Sequence, residues 1–330
     1  MEAMSYAKLN VLHLHLTEDE SFPMPSAKHP ELPAAGSYSF FERYSPSDLR
    51  SVVEFARLRG IRILPEFDMP GHTSSWRRSH PEIFASGCSQ EERGAFDPAS
   101  PQLLPLLSEL FEEWFAIFPD EAVHLGTDEV PTTCWDNPTT LAWMKAQNVS
   151  SFEALFGKFV SSVVSLAASK EKTVHLWDEA FTTAPSSTVN TVVQIWHDDA
   201  LQGVREGKRE YVYSPTSTWY LDHLDTTWTA MYSLEVPDDA LGGEGCMWGE
   251  TVDPSDLAST VWPRLAAVAE RLWSPVNVTS NVTQAAPRLR RFRCLLLQRG
   301  VGAGLVDLAG RASPPGPASC LQDYSFLNFF

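Results

Sequence analysis

No apolar stretch in this 330-residue chain approaches the roughly 20 residues that a membrane-spanning helix needs, which excludes a helical membrane span. Cationic residues are also scarce. Twenty-five Lys and Arg stand against 42 Asp and Glu, a formal net charge of −17 that repels phosphate backbones and makes nucleic acid a poor partner. There is no glycine-rich phosphate loop, nucleophile elbow or dinucleotide fingerprint, so the sequence gives no support to phosphoryl transfer on such a loop, elbow-serine hydrolysis or nicotinamide chemistry. No repeat is visible. The chain also lacks the basic segment and 7–15-residue apolar run that open a secretory signal. It begins Met1-Glu-Ala-Met-Ser-Tyr, which reads as a helix entered midway, and the expectation is that a segment precedes it. Leu9–Leu16, broken by His13 and His15, reads as a strand.

What is present is an ordinary folded composition, 43% hydrophobic and 20% charged. The five cysteines (Cys88, Cys134, Cys246, Cys294, Cys320) contain no C-x-x-C pair, which argues against a zinc ribbon or redox motif. Alone they are compatible with buried thiols. Three glycosylation sequons, at Asn148, Asn277 and Asn281, favour a secretory history.

Short β-rich runs at Asn10–Leu16, Ile61–Phe67, Ala122–Asp128, Thr173–Trp177, Thr191–Trp196, Tyr211–Ser214 and Gly243–Trp248 alternate with helix-like spacing at Pro46–Arg59, Pro101–Phe118, Phe152–Ser169 and Trp262–Trp273. Such alternation predicts an α/β fold with a mostly parallel sheet, and seven strands are one short of an eight-stranded (β/α) barrel. The barrel is expected over 1–308. From 309 to 330 follows a tail in which Pro314, Pro315, Gly316 and Pro317 block regular structure, while Tyr324, Phe326, Phe329 and Phe330 give it apolar anchors.

The strand ends carry the chemistry. In order they hold Glu18-Asp19; Glu66, Asp68 and His72; Asp128-Glu129; Trp177-Asp178-Glu179; Trp196-His197-Asp198; and Trp248 with Glu250. Any one of these is ordinarily a helix cap or a solvated charge. Six in succession, three with tryptophan, describe a site at the C-terminal face of a barrel. Along the last strand Glu244, Cys246, Trp248 and Glu250 share a face. Tryptophan walls with carboxylates between them suit a pyranose, and a carboxylic acid suits glycoside cleavage. His13 and His15 share one strand face, but no third ligand stands at a convincing spacing, so the expectation is hydrogen-bonded histidines with no metal and no other cofactor.

These residues resemble a known family. His124-Leu-Gly-Thr-Asp128-Glu129-Val130 is similar to the signature of glycoside hydrolase family 20, the β-N-acetylhexosaminidases. The likeness extends through Lys8-Leu-Asn-Val-Leu-His-Leu-His-Leu, Gly60-Ile-Arg-Ile-Leu-Pro-Glu-Phe-Asp68-Met-Pro-Gly-His72-Thr, Gly242-Gly-Glu-Gly-Cys-Met-Trp248-Gly-Glu250 and Trp262-Pro-Arg-Leu-Ala-Ala-Val-Ala-Glu-Arg-Leu-Trp273. It is nearest to the animal lysosomal hexosaminidases.

The resemblance implies removal of terminal N-acetylhexosamines from glycans, with Glu129 as general acid/base and the substrate's own acetamide oxygen as nucleophile. Neighbouring Asp128 and low-dielectric tryptophan walls are expected to keep Glu129 protonated. It further implies that Asp128 orients the acetamide N–H and Tyr220 bonds its oxygen. Trp177, Trp196 and Trp248 would line the acetamide pocket, Glu250 would bind O4 and O6, and His72 would support Glu129. Glycoprotein, glycolipid and chito-oligosaccharide substrates, a homodimer, and a lysosomal, vacuolar or secreted location for the full-length protein follow as expectations. So do disulfides Cys88–Cys134 and Cys294–Cys320, leaving Cys246 outside any bridge. Asp222 occupies a position where related subunits carry Asp or Asn, and a carboxylate there should disfavour 6-sulfated sugars.

Two substitutions depart from the family pattern. Glu18 stands where an aspartate is usual, and Thr127 where glycine or alanine is common. The family's first barrel strand, with its sugar-binding arginine, precedes the matched region. The expectation is therefore that this chain alone folds poorly and turns over little, as an impaired sugar-binding or non-functional fragment. A family 18-type chitinase would show a D-x-x-D-x-D-x-E strand, which is absent.

Overall fold

The computed structural model describes residues 1–88, 93–279 and 281–306. They fall into two units. The first comprises Met1, Asn10–Gln194 and Asp199–Glu210; the second comprises Glu2–Leu9, Ile195–Asp198 and the chain from Tyr211 on.

The first unit carries strands β1 (Val11–His15), β2 (Arg62–Glu66), β3 (Ala122–His124), β4 (Thr173–Trp177) and β5 (Val192–Ile195, its last residue belonging to the second unit). Successive strands pair in parallel, with helices Pro46–Arg57, Leu103–Phe115 and Phe152–Ala168 between them. The alternation expected of a (β/α) barrel is therefore observed. Helix Pro46–Arg57 starts where its sequence says it should. Ser45 Oγ accepts from Asp48 N–H (3.1 Å), Asp48 Oδ2 accepts from Ser45 N–H (2.9 Å), and Pro46 occupies the first turn. Leu103–Phe115 buries Leu103, Leu106, Leu107, Leu110, Phe111 and Trp114, the i, i+3, i+4, i+7 stripe that predicts it. Trp114 stacks on Phe67 (4.2 Å between centroids) and meets Trp76 edge-on (5.9 Å), giving this unit an aromatic core.

The second unit holds β6 (Tyr211–Tyr213) and β7 (Gly242–Gly243), again parallel. Ser214 N–H donates to Ile195 O (2.8 Å) and Thr216 N–H to Trp196 O (2.9 Å). Helices Trp228–Ser233, Arg264–Trp273 and Val282–Gln298 enclose Trp219, Met231, Tyr232, Leu265, Val268, Leu289 and Leu296. The opening residues form a short helix, Glu2–Tyr6, as read from the sequence.

The strand boundaries differ in two places. β3 stops at His124 rather than Asp128, because Gly126, Thr127 and Glu129 take positive φ (62°, 84° and 44°) and turn the chain out of the ladder. The last strand is a two-residue ladder plus an isolated bridge between Tyr220 and Cys246, rather than Gly243–Trp248. A Cβ on Gly243 would lie 2.4 Å from the Trp219 ring and one on Gly245 2.6 Å from Leu265, so these glycines trade strand packing for close approach.

Cys88 and Cys134 form a disulfide, as expected. Cys246 is a buried thiol within 3.6 Å of Glu244 Oε1. Cys320, the expected partner of Cys294, lies outside the described residues, as does the tail from 309 to 330. Asn148, Asn277 and Asn281 are exposed, and Asn281 also caps Val282–Gln298 by accepting from Gln284 N–H (3.1 Å). No helix of the described residues is long and apolar enough to cross a membrane.

The Cys88–Cys134 bridge joins residues 46 apart, a loop whose closure contributes about 4 kcal/mol in the chain-entropy treatment. Cys88→Ser/Cys134→Ser is expected to lose about 3–4 kcal/mol in urea unfolding. Identical midpoints for the oxidised parent and the double variant would remove the bridge from the stability account.

Candidate active site

In the first unit, parallel pairing in register sets His15 opposite Glu66, Glu66 opposite His124, and His124 opposite His175. Glu66 is fully buried. Its Oε2 lies 3.0 Å from His13 Nε2 and 2.9 Å from His15 Nδ1; its Oε1 lies 3.1 Å from His124 Nδ1 and accepts from Trp177 Nε1–H at 2.9 Å. Burial would raise this carboxyl, but the facing charges of His124, His15 and His13 hold it well below the usual range. His13, Glu66 and His124 also lie within metal-ligating reach of one another. Each Glu66 oxygen thus has two close neighbours, and His124 Nδ1 also accepts from Gly126 N–H (3.0 Å).

A second chain of contacts leads outward. Glu18 Oε2 meets His15 Nε2 (3.1 Å) and Glu18 Oε1 meets His72 Nδ1 (2.8 Å). His72 Nε2 then faces Asp128 Oδ2 at 3.5 Å and Glu129 Oε2 at 3.6 Å. The Glu18 side chain therefore spans two imidazoles. Asp128 is 13% exposed, and its Oδ1 is buried without a hydrogen-bond partner among the described residues. Glu129 is half exposed. Its φ of 44° and the φ of 84° at Thr127 bracket Asp128 and fix the direction of the pair.

Asp68 closes the arrangement from behind. It is buried, and its Oδ1 accepts from Thr127 N–H (3.0 Å). A Cβ on Gly126 would sit 1.7 Å from that oxygen, so glycine is required there by space as well as by φ. Burial, then the charges of Asp128 and Glu66, push Asp68 well above its ordinary range. Burial likewise pushes Asp128 up to about 6, with His72 opposing.

Arg93 is absent from the residues expected at the site. Its Nη1 lies 3.3 Å from Glu129 Oε2 and its Nε 3.6 Å from Asp19 Oδ2, with the side chain 66% exposed. Arg93 belongs to a loop with no periodicity to place it, and only the fold brings it to Glu129. Trp177 is 2% exposed, its indole N–H donating to Glu66 Oε1 and its ring 4.9 Å from His124.

The remaining expected residues belong to the second unit. Trp196 and Tyr220 stack at 6.3 Å and 22°. Trp248 is half-buried and Glu250 exposed. Asp222 is 12% exposed, its Oδ1 buried without a hydrogen bond among the described residues. Its loop is pinned by Arg264, which donates to the carbonyls of Leu221, His223, Thr226 and Thr260.

Comparison with known proteins gives one answer. The family profile "Glycosyl hydrolase family 20, catalytic domain" matches residues 1–238 and 225–276. The chain is 40% identical to beta-hexosaminidase 1 of Arabidopsis thaliana over 97% of its length, and 37% identical to the human beta-hexosaminidase subunit beta over 92%. It spans 61% and 58% of those relatives. Among solved structures, a Flavobacterium johnsoniae chitobiase matches with a TM-score of 0.83 at 30% identity, covering 91% of this chain and 48% of that one. An exo-β-N-acetylglucosaminidase from Vibrio harveyi, solved with N-acetylglucosamine, matches at 0.81 and 27%, covering 91% and 55%.

The contacts of Glu18 make stability depend on pH. Burial opposes its ionisation, but the hydrogen bonds of His15 and His72 hold Glu18 at about 2 against an ordinary 4.5. Against their own burial, His72 rises to about 9 through Glu18 and Asp128, and His15 to about 10 through Glu66 and Glu18. A depressed acid stabilises the fold above its unfolded value and loses that contribution as pH falls toward 2. A raised histidine contributes below 6.5 and loses it as pH rises through 9 to 10. The Glu18→Gln variant is expected to trail the parent by about 2 kcal/mol near pH 5–6, discounted for partial exposure, with the gap closing toward pH 2 and again above pH 9. A gap that stays constant in urea unfolding across that range would break the linkage.

Proposed function

The chain belongs to glycosyl hydrolase family 20, and from that premise we propose that it hydrolyses terminal non-reducing N-acetyl-β-D-hexosamine residues of glycans. The observation that carries this reading is the Asp128–Glu129 pair at the end of β3, with His72 Nε2 within 3.5 and 3.6 Å of the two carboxylates and Glu18 holding His72 from the other side.

In this reading Glu129 donates its proton to the glycosidic oxygen as the bond to the anomeric carbon breaks. The substrate's acetamide oxygen forms the replacing bond, giving an oxazolinium intermediate. Water then attacks the anomeric carbon, breaking its bond to the acetamide oxygen and restoring the acetamide, while Glu129 takes the water's proton; two inversions retain the configuration. The unbonded Oδ1 of Asp128 is the acceptor for the acetamide N–H, which disperses charge developing on that nitrogen. Arg93 Nη1, 3.3 Å from Glu129 Oε2, is the cation nearest the acid, and its side chain is largely exposed. Within the second unit by itself, Trp196, Tyr220 and Trp248 offer faces that suit a sugar, Glu250 an acceptor for hydroxyls, and Asp222 Oδ1 a further acceptor. Substrates are GlcNAc- or GalNAc-terminated glycans. The exposed sequons and the Cys88–Cys134 bridge support a secretory route.

A second reading, sugar binding without turnover, is favoured by one observation. Among the described residues β1 pairs only with β2, so its outer edge has no ladder partner. Assay of a chromogenic N-acetylglucosaminide separates the two: release of the chromophore supports hydrolysis, and saturable binding without release supports the second.

Glu129→Gln is expected to lower kcat by about 100- to 10,000-fold on an ordinary glycoside while KM changes little, with a smaller loss for leaving groups that need no proton. Parental rates on the ordinary glycoside would sink the assignment. For Asp222→Asn, the ratio of kcat/KM for a 6-sulfated to a neutral N-acetylglucosaminide should rise, since removing a charge removes Coulomb repulsion over a short distance. An unchanged or falling ratio would place Asp222 away from the 6-substituent.

A further inference from the structure

His29, Glu31 and His80 lie outside the strand-end network and converge on one point. His29 ends the loop before helix Glu31–Gly36, Glu31 is the first residue of that helix, and His80 precedes the turn Pro81–Ile83. Glu31 Oε1 is 3.4 Å from His29 Nδ1 and 3.2 Å from His80 Nε2. Ligand atoms on a tetrahedral zinc ion, with bonds of about 2.0–2.1 Å, are separated by about 3.3–3.4 Å. Both edges already have that length.

The far sides of the two rings strengthen the case. His29 Nε2 is bonded to Glu109 Oε2 (2.7 Å), and His80 Nδ1 to Glu82 Oε1 (3.0 Å). Imidazoles that bind metals almost always donate their remote N–H to such an acceptor, which fixes the tautomer and raises the basicity of the other nitrogen. Here the two carboxylates engage opposite nitrogens of the two rings. In the neutral rings the lone pairs are therefore left on His29 Nδ1 and His80 Nε2, the two atoms that face Glu31. Both lone pairs face the Glu31 carboxylate oxygen and all three atoms lie within 4.8 Å of one another, an arrangement that repels unless a cation or protons lie among them. His80 Nε2 is buried and, despite its 3.2 Å approach, makes no hydrogen bond among the described residues.

We propose that His29 Nδ1, His80 Nε2 and Glu31 Oε1 bind a zinc ion, with water in the fourth position. Two imidazoles and one carboxylate suit zinc, whereas magnesium and calcium take oxygen ligands. Glu31 is 46% exposed, against 18% for His29 and 14% for His80, so the fourth position opens to solvent on the carboxylate side. The ion would fasten the loop that follows β1 to the segment before Pro81. It would bind the folded state only, and so would raise the unfolding temperature.

The experiment is a zinc titration of the full chain after exhaustive dialysis against a chelator, read by calorimetry and by thermal unfolding. One zinc per chain should bind at micromolar concentration and raise Tm by several degrees. His29→Ala and His80→Ala should each weaken that event more than tenfold. Glu82→Gln and Glu109→Gln should weaken it by about 10- to 100-fold without abolishing it. Because a histidine variant could misfold, the zinc K-edge absorption of the unmodified chain gives an independent reading, with two imidazoles and two oxygens expected around the metal. The proposal is overturned if no zinc binds at about 100 μM. It is overturned equally if folded His29→Ala and His80→Ala chains bind zinc as the parent does, which would place the metal at another histidine cluster, or if the spectrum shows no imidazole scattering.

Discussion

A buried carboxylate is the constraint from which the first unit takes its order. Removing the charge of Glu66 from water costs several kcal/mol unless partners offset it, and the partners come from three other strands: His13 and His15 on β1, His124 on β3 and Trp177 on β4. These contacts exist only in one strand register. Slipping a strand by one residue would turn its imidazole or indole to the opposite face and leave an uncompensated charge inside. The parallel pairing of His15, Glu66, His124 and His175 is therefore a chemical requirement as much as a hydrogen-bonding pattern.

The charge on Glu66 also shapes the groups around it. Asp68 and Asp128 both feel that negative potential in addition to their own burial, and both are pushed upward. The upward push on Asp68 favours its neutral form behind the pair, which lessens the negative potential that Asp128 faces. On the other side, His15 and His72 are held protonated on either side of ionised Glu18. The result is an alternation of charge from Glu66 through His15 and Glu18 to His72, which ends at the carboxylates of Asp128 and Glu129. Each member offsets the charge of its neighbour, so His72 is the contact that links position 18 to position 128.

Much of this was legible in the sequence because periodicity and strand-end chemistry are local. The alternation of strands and helices, the His13/His15 face and the Asp128-Glu129 pair all follow from spacing alone. Side-chain reach is not local. Nothing in the order of residues says that Glu18 bridges two imidazoles, that the Trp177 indole is spent on Glu66, or that Arg93 arrives beside Glu129. The last strand was overextended for a related reason. Gly243 and Gly245 sit in a run that reads as strand, yet they serve the close packing of Trp219 and Leu265 rather than a ladder. Helix Val282–Gln298 was missed because Pro287 and four arginines (Arg288, Arg290, Arg291 and Arg293) obscure its apolar stripe, although Ala285, Leu289 and Leu296 are buried along it.

Thr127 shows how the remaining departure is accommodated. A β-branched residue at φ 84° is disfavoured by about 1–3 kcal/mol, the cost of crowding Cβ against the backbone. Glycine would relieve that crowding, which gives a physical basis for small residues at this position. Here the strain persists because Thr127 is fully buried and its N–H is held by Asp68 Oδ1. The same hydrogen bond stabilises whatever charge Asp68 retains, so backbone conformation and carboxyl ionisation are coupled at one atom. With Gly126 and Glu129 also at positive φ, the chain leaving β3 is forced through a left-handed turn that it would not adopt alone. That turn sets Asp128 and Glu129 on either side of His72 Nε2, and the buried network behind it supplies the energy that holds the turn in place.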